Sequence, residues 1–358
     1  MGDARERVSV TLARIHGADA SCAEAAQRCM DVKTKPRGSL GRLEEIAVRV
    51  AGIRRTASLG PLPSALIVAA ADHGIAAEGV SAYPQEVTAQ MVQNFAADGA
   101  AVCVLARRAG ARLVVVDVGV ASEIGDVPGV QRLRMGRGTA NSTRGPAMAV
   151  ADAFEALAAG IELVEALSSE GVGIVGLGEM GIANSTSASA LAAALLPADP
   201  PDVCGRGTGV DDNGLVRKLA AVRRALDANA DAIETGGPEG VLAAVGGFEI
   251  GLLAGVALGA SAANMPVVLD GFITGAAALV AARMAPACTE SMIASHRSTE
   301  PGHRLILEDL GLAPILDLGM RLGEGTGAAL TIPIVNASLA LLDEMATFVS
   351  AGVTDAGA

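Results

Sequence analysis

The sequence predicts an α/β fold: an open, mainly parallel, Rossmann-like sheet with flanking helices, plus a small helical domain drawn from both chain ends. Three observations predict it. Short continuous apolar runs end in polar residues at 64–74 ("SALIVAAADHG"), 111–120 ("ARLVVVDVGV"), 171–181 ("GVGIVGLGEMG"), 265–272 ("MPVVLDGF") and 313–319 ("APILDLG"). Runs of this kind are strands buried on both faces, as in a parallel sheet. Helical stretches at 86–109, 151–168, 212–234 and 239–263 separate them, and strand–helix alternation implies right-handed crossovers. Finally, 51% of the 358 residues are apolar, with no Trp, one Tyr, five Phe and 44 Gly, so the core is built from small, closely packed side chains.

Residues 1–30 have helical period. Pro36 and Gly38 interrupt the chain, and Ser39 is placed to cap a helix carrying Leu43, Ile46, Ala47 and Val50 on one face. A Pro/Gly linker at 60–63 precedes the strand pattern. An apolar helix at 326–348 closes the chain, and residues 350–358 have the small, polar character of a frayed end. The expected organisation is 1–60 as the N-terminal helical part of a small domain and 61–310 as a large α/β domain. Residues 311–358 supply the last strand, a loop and the helix that completes the small domain. Ligands bind such sheets beyond the carboxyl ends of the strands, where this chain carries Asp72, His73, Asp117, Glu179, Asp270 and Asp317.

A net charge of −12 argues against nucleic acid, which needs a basic face. Cys22, Cys29, Cys103, Cys204 and Cys288 are scattered and lack a C-x-x-C pair, so neither a disulfide framework nor a zinc site is expected. The four histidines show no metal spacing. The charged N-terminus is no signal peptide, and residues 250–268, the nearest approach to a membrane span, read as a buried helix running into a buried strand. A cytoplasmic protein is expected.

Four segments carry candidate chemistry. In "GLGEMGIANSTSASA" (176–190), Gly176, Gly178 and Gly181 form a G-x-G-x-x-G string. As a dinucleotide motif it is weak, because the acidic residue some 20 positions on is at best Asp199, in a loop. It serves equally as a helix N-terminus that holds a phosphate through Asn184, Ser185 and Thr186, or as a tight polar-capped turn. "GRGTGVDDNGLVRKL" (205–219) could complete a phosphate site with Thr208, Arg206 or Lys218, or Lys218 could belong to a solvated basic face. "AADHGIAAEGVSAYPQEVTAQMVQNF" (70–95) offers Ser81, Tyr83, Gln85, Gln90 and Met91, a mixed surface suited to a planar aromatic ligand or simply a capped connection. "RLGEGTGA" (321–328) places Glu324 inside a glycine-rich loop, where it would repel a phosphate. Glu324 and Glu179 could act as acid–base groups or stabilise a sugar cation, and a helix dipole would keep Glu324 ionised; the plainer role is helix capping.

Together these segments, with "KTKPRGSLGRLEEIAVRVAGI", "LDGFITGAAAL", "SHRSTEPGH" and "LDLGMRLGEGTGAAL", resemble the nicotinate-nucleotide–dimethylbenzimidazole phosphoribosyltransferase family of the cobalamin lower-ligand pathway. They run in order from about 33 to 345. The resemblance implies a homodimer without metal or cofactor, acting on nicotinate mononucleotide and an aromatic base. It implies Glu324 as catalytic base, with Glu179 a second candidate in the same pocket. Phosphate contacts would fall on Gly181, Asn184, Ser185, Gly207 and Lys218, and the acceptor pocket on Ser81, Tyr83, Gln90, Met91 and Leu322. The chain reads "GIANST" where the family usually reads "GIGNTT", so Ala183 and Ser185 depart from the pattern. Adenine, another benzimidazole or a phenol remain alternative acceptors. A dinucleotide-dependent oxidoreductase and a non-catalytic binding protein are the other readings, the latter disfavoured by the presence of Glu324.

Overall fold

The computed structural model describes residues 2–354. Its centre is a six-stranded, all-parallel sheet formed by β1 (Ser64–Ala71), β2 (Arg112–Gly119), β3 (Val130–Arg132), β4 (Ile174–Met180), β5 (Val267–Leu269) and β6 (Met292–Ala294). The strand order is β3-β2-β1-β4-β5-β6. The chain moves outward from β1 in one direction and then restarts at β4 beside it. This β1/β4 junction is the topological switch point where open α/β sheets bind ligands.

Alternation along the strands sorts side chains into two cores. Ala65, Ile67, Ala69, Val116, Val175 and Val267 face the helices Val150–Ser169, Phe248–Ala262 and Phe272–Met284. Leu66, Val68, Val115, Val268 and Ile293 face the other side, with Ala20–Asp31, Arg42–Arg54, Glu86–Ala96, Ala101–Ala109 and Thr326–Glu344. The helix Gly2–Ala13 packs Ala4 and Val8 into the first core, against Val150–Ser169. The small-residue composition has its use where Val150–Ser169 crosses Phe248–Ala262. A Cβ on Gly255 would run into the Leu157 carbonyl, so the two backbones meet almost directly. Thr326–Glu344 is long and apolar enough to cross a membrane, but buries Ile332, Val335, Leu339 and Leu342 in the second core.

Several expected elements differ. Residues 313–319 form no strand: Leu316 makes one parallel bridge to His296, after which Gly319 (φ 65°) turns the chain and Leu318 lies exposed. Pro314 also removes a donor that a strand would need. The last strand is instead Met292–Ala294, three apolar residues between polar flanks and too short to stand out by pattern. The edge strand Val130–Arg132 is likewise unannounced. Helices expected as single units break at Gly17, Asp98–Gly99, Asn229 and Gly246–Gly247. Ser39 does not cap the helix Arg42–Arg54; Glu44 folds back to accept the Leu40 N–H at 2.9 Å and pairs with buried Lys35 at 2.8 Å.

Candidate active site

The carboxyl ends of β1, β4, β5 and β6 converge with two loops, one before Asp212–Ala228 and one before Thr326–Glu344. β4 ends in the turn Gly181–Ala183, and Thr88 of Glu86–Ala96 secures that turn by accepting the Ile182 N–H at 3.1 Å. Ala183 has φ 75°, the left-handed region, which costs an L-residue roughly 1–2 kcal/mol relative to glycine. The next residues open the helix Asn184–Leu195. Ser185 meets Lys218, whose Nζ donates to its Oγ at 2.9 Å. Lys218 is fully buried on the inner face of Asp212–Ala228, not on a solvated basic face. Gly207 (φ 52°) closes over the pair. A Cβ there would lie 2.5 Å from Ser185 Oγ and 2.9 Å from Lys218 Nζ, so only glycine fits.

The Gly207 loop is anchored on three sides. Its N–H donates to Glu300 Oε1 at 2.9 Å, and its carbonyl accepts from Arg321 at 3.3 Å. Thr208 Oγ1 lies 3.2 Å from Ser81 Oγ and accepts the Ala82 N–H at 3.1 Å. Ser81 and the phosphate-loop candidates therefore belong to one network. Arg206 instead pairs with Asp212 at the surface.

The Glu324 loop is held mainly by Asp270, which follows β5. Asp270 Oδ2 accepts the Gly325 N–H at 2.9 Å and Oδ1 the Gly327 N–H at 2.6 Å. Gly323, Glu324 and Gly325 take three successive left-handed conformations, with φ of 83°, 62° and 88°. For Glu324 this is strained backbone, offset by the two charge-assisted bonds to Asp270, each worth about 1.5–3 kcal/mol. Glu324 is buried, and its Oε2 has no hydrogen-bond partner among the described residues. The loop rests on Gly178, where a Cβ would lie 2.5 Å from the Glu324 carbonyl oxygen. Gly176 similarly makes room for Leu66 and Ala328. Thus the first two glycines of G-x-G-x-x-G serve packing beneath the Glu324 loop. Asp199 precedes the short helix Pro200–Val203 rather than ending a strand, and the dinucleotide motif falls away.

The electrostatics follow from burying carboxylates together. Burial, then the Asp270 charge, pushes Glu179 up to about 8, against a hydrogen bond from Asn184. Burial pushes Asp270 up to about 7, opposed by the Gly325 and Gly327 N–H groups. Burial also raises Glu324, where the sequence suggests a helix dipole holding it ionised. The first-turn donors of that helix are spent on Asp270, not on Glu324. Burial lowers Lys218, and pushes His303 down to about 3, with His296 adding to the effect. The site therefore has a carboxyl side at Glu179, Asp270 and Glu324, and an anion-seeking side at Ser185, Gly207 and Lys218.

His73 lies beneath the β4 turn. Its Nε2 meets Glu249 Oε1 at 2.6 Å and its Nδ1 meets Ser187 Oγ at 2.9 Å, all three fully or almost fully buried. The Asp72–His73 pair thus reaches well beyond its own turn. Asp72 accepts the Ala121 N–H at 2.7 Å, tying β1 to the end of β2.

A phosphoribosyltransferase family model matches residues 15–353. The chain belongs to this phosphoribosyltransferase family. It is 51% identical over 348 residues to a nicotinate-nucleotide–dimethylbenzimidazole phosphoribosyltransferase of Chloroflexus aurantiacus, covering 97% of this chain and 99% of that one. An enzyme of the same name from Desulforamulus reducens is 49% identical over 349 residues, covering 96% and 98%. A crystal structure of the phosphoribosyltransferase of that name from Thermus thermophilus superposes with a TM-score of 0.88 at 46% identity, covering 94% of this chain and 99% of that one.

Within this phosphoribosyltransferase, Ser185, Gly207 and Lys218 come together as one group, and Glu179 and Glu324 as another. Asn184 joins the second group, since its amide donates to Glu179. Gly181 sits at the turn between them, against the Ala71 carbonyl. Of the acceptor candidates, Ser81 touches Thr208, while Tyr83 and Leu322 are more than half exposed. Gln90 and Met91 lie on the helix that Thr88 ties to the β4 turn, Gln90 exposed and Met91 half-buried. Asp317 is not in the site; it pairs with Arg297 at the surface. Sequence reasoning placed Asp270 at a strand end without a specific role, and gave none to Glu249, Ser295, His296 or Glu300. One signal was available for Glu249, the lone charge in the apolar helix Phe248–Ala262. Another was available for Lys218, which shares a helical face with Ala221, Val222 and Ala225.

Proposed function

We propose that this chain transfers the phosphoribosyl group of nicotinate mononucleotide to 5,6-dimethylbenzimidazole, giving α-ribazole 5′-phosphate and nicotinate. The observation that carries this reading is the pairing of a buried carboxyl cluster with a separate lysine–hydroxyl–glycine group at one sheet switch point. The donor is dipolar in the same sense, with a cationic pyridinium on C1′ and an anionic 5′-phosphate. Lys218, Ser185, Gly207 and the turn at Gly181 and Asn184 would receive the phosphate. The acceptor would lie towards Ser81, Tyr83, Gln90, Met91 and Leu322.

In the reaction a benzimidazole nitrogen attacks C1′. The C1′–N bond to the pyridinium breaks, and its electron pair returns to the leaving ring as neutral-nitrogen nicotinate. Attack from the opposite face inverts β to α. The acceptor becomes cationic as it bonds, and its second nitrogen gives a proton to Glu324. A carboxylate raised by burial is a stronger base, and its Oε2, without a hydrogen-bond partner among the described residues, can accept the proton. Until it takes that proton, the Glu324 carboxylate also adds negative potential where the sugar becomes cationic. Lining up the two substrates supplies much of the remaining rate.

The same reading carries a homodimer with no metal or cofactor, no nucleic-acid or membrane partner, and a cytoplasmic setting. It also carries a small domain made from residues 1–60 and 311–358 beside a large domain at 61–310. The test is to incubate the protein with nicotinate mononucleotide and dimethylbenzimidazole, benzimidazole, adenine or phenol, and follow nicotinate release. Proton NMR then assigns the anomer. A dimethylbenzimidazole product of α configuration is expected. No product from folded protein, or a β product, contradicts the reading.

A further inference from the structure

We infer that Asp270 is the positioning residue for Glu324: its carboxylate caps the helix Thr326–Glu344 from another element and fixes the direction of the catalytic side chain. The inference rests on Glu324 being the base. A helix start leaves N–H groups without partners, and a local Ser, Thr or Asp usually takes them. Here the N-cap is Gly325, which has no side chain to offer. The two oxygens of Asp270 take the Gly325 and Gly327 N–H groups instead. These bonds bracket the end of the left-handed segment 323–325 and hold the residue next to Glu324. The Glu324 Oε2 offers no such hold, having no hydrogen-bond partner among the described residues.

Asp270 is in turn held. Ser295 Oγ donates to its main-chain oxygen at 3.0 Å, and His296 Nδ1 lies 3.7 Å from Oδ1. The chain of placement runs from the ends of β5 and β6 to Asp270, to the loop backbone, to Glu324. Asparagine at 270 keeps the shape but turns one acceptor into a donor that faces an N–H. The loop then loses one anchor, and misplacement of a reacting group by about 1 Å can cost on the order of 100-fold.

The experiment is a double-mutant cycle on the full chain with Asp270→Asn, Glu324→Gln and the pair, reading kcat and both KM values. Asp270→Asn is expected to lower kcat about 10–100-fold, with both KM values within about threefold of wild type. In the Glu324→Gln background the same change is expected to cost less than about threefold, because the group being positioned is gone. An unchanged kcat for Asp270→Asn overturns the inference. So does an equal loss in both backgrounds, which would make Asp270 act independently of Glu324. Near-normal turnover in Glu324→Gln overturns the base assignment itself, a result distinct from either. Should Asp270→Asn not fold, Ser295→Ala loosens Asp270 more gently and is expected to lower kcat several-fold at constant KM; no change there overturns the inference.

Discussion

Replacing Glu179 by Gln should stabilise the protein by an amount that grows with pH. Burial and the Asp270 charge lift Glu179 from its usual 4.5 to about 8. Between those values the folded chain keeps a proton that the unfolded chain has lost. Stability then falls as pH rises, and the full penalty is reached above the folded value. One retained proton changes stability by at most about 1.4 kcal/mol per pH unit. From pH 5 to pH 7 the wild type should lose about 1–3 kcal/mol that the Gln variant does not, allowing for relaxation around the buried group. Gln can still accept the Asn184 hydrogen bond and matches the neutral acid in shape. With an unfolding entropy of about 0.75 kcal/mol/K for a chain of 358 residues, the difference amounts to about 1–4 °C in Tm. Differential scanning calorimetry of both proteins at pH 5, 6, 7 and 8 measures it. The two Tm values should nearly coincide at pH 5 and separate above it. A constant offset from pH 5 to pH 8 would refute the reasoning, since it would mean that Glu179 is already ionised in the folded protein.

Two further outcomes concern the anion side and the core. Lys218→Met keeps the buried volume and removes a charge-assisted contact of about 1.5–3 kcal/mol, so KM for nicotinate mononucleotide should rise about 10–100-fold with kcat little changed. A rise confined to the acceptor KM would refute the phosphate assignment. Gly255→Val forces a branched side chain into the Leu157 backbone and should cost about 3 kcal/mol or more, lowering Tm by at least about 4 °C in calorimetry. An unchanged Tm would show that the two helices are not locked in contact there.

The strands that build the switch point were legible because they are long and apolar on both faces: β1, β2 and β4 run for seven or eight residues. β6 was not, because Met292–Ala294 owes its place to pairing with β5 rather than to its own pattern. The 313–319 run misled for the opposite reason, being apolar in composition but spent on a single bridge and a turn. At the site, Glu324 stood out because a charge interrupts a glycine-rich loop. The role of Asp270 did not, since what sets it apart is which backbone N–H groups it meets, and they lie 55 and 57 residues away. Long-range partners of that kind leave no local periodicity. Ala183 is a middle case: the sequence marked it as a departure from the family pattern, but its left-handed backbone, φ 75°, is visible only in the structure.

The most direct test of the mechanism is the pH profile of kcat for the wild type and Glu324→Gln, at saturating nicotinate mononucleotide and dimethylbenzimidazole. Glu324 lies above the usual carboxylate range, so wild-type kcat should fall as pH drops through its raised value and the base takes up a proton. Glu324→Gln should lower kcat by on the order of 10²–10⁴ and abolish that acid limb, while the fold is retained. Near-normal turnover in the variant, or an acid limb that survives the substitution unchanged, would contradict the assignment of Glu324 as the base.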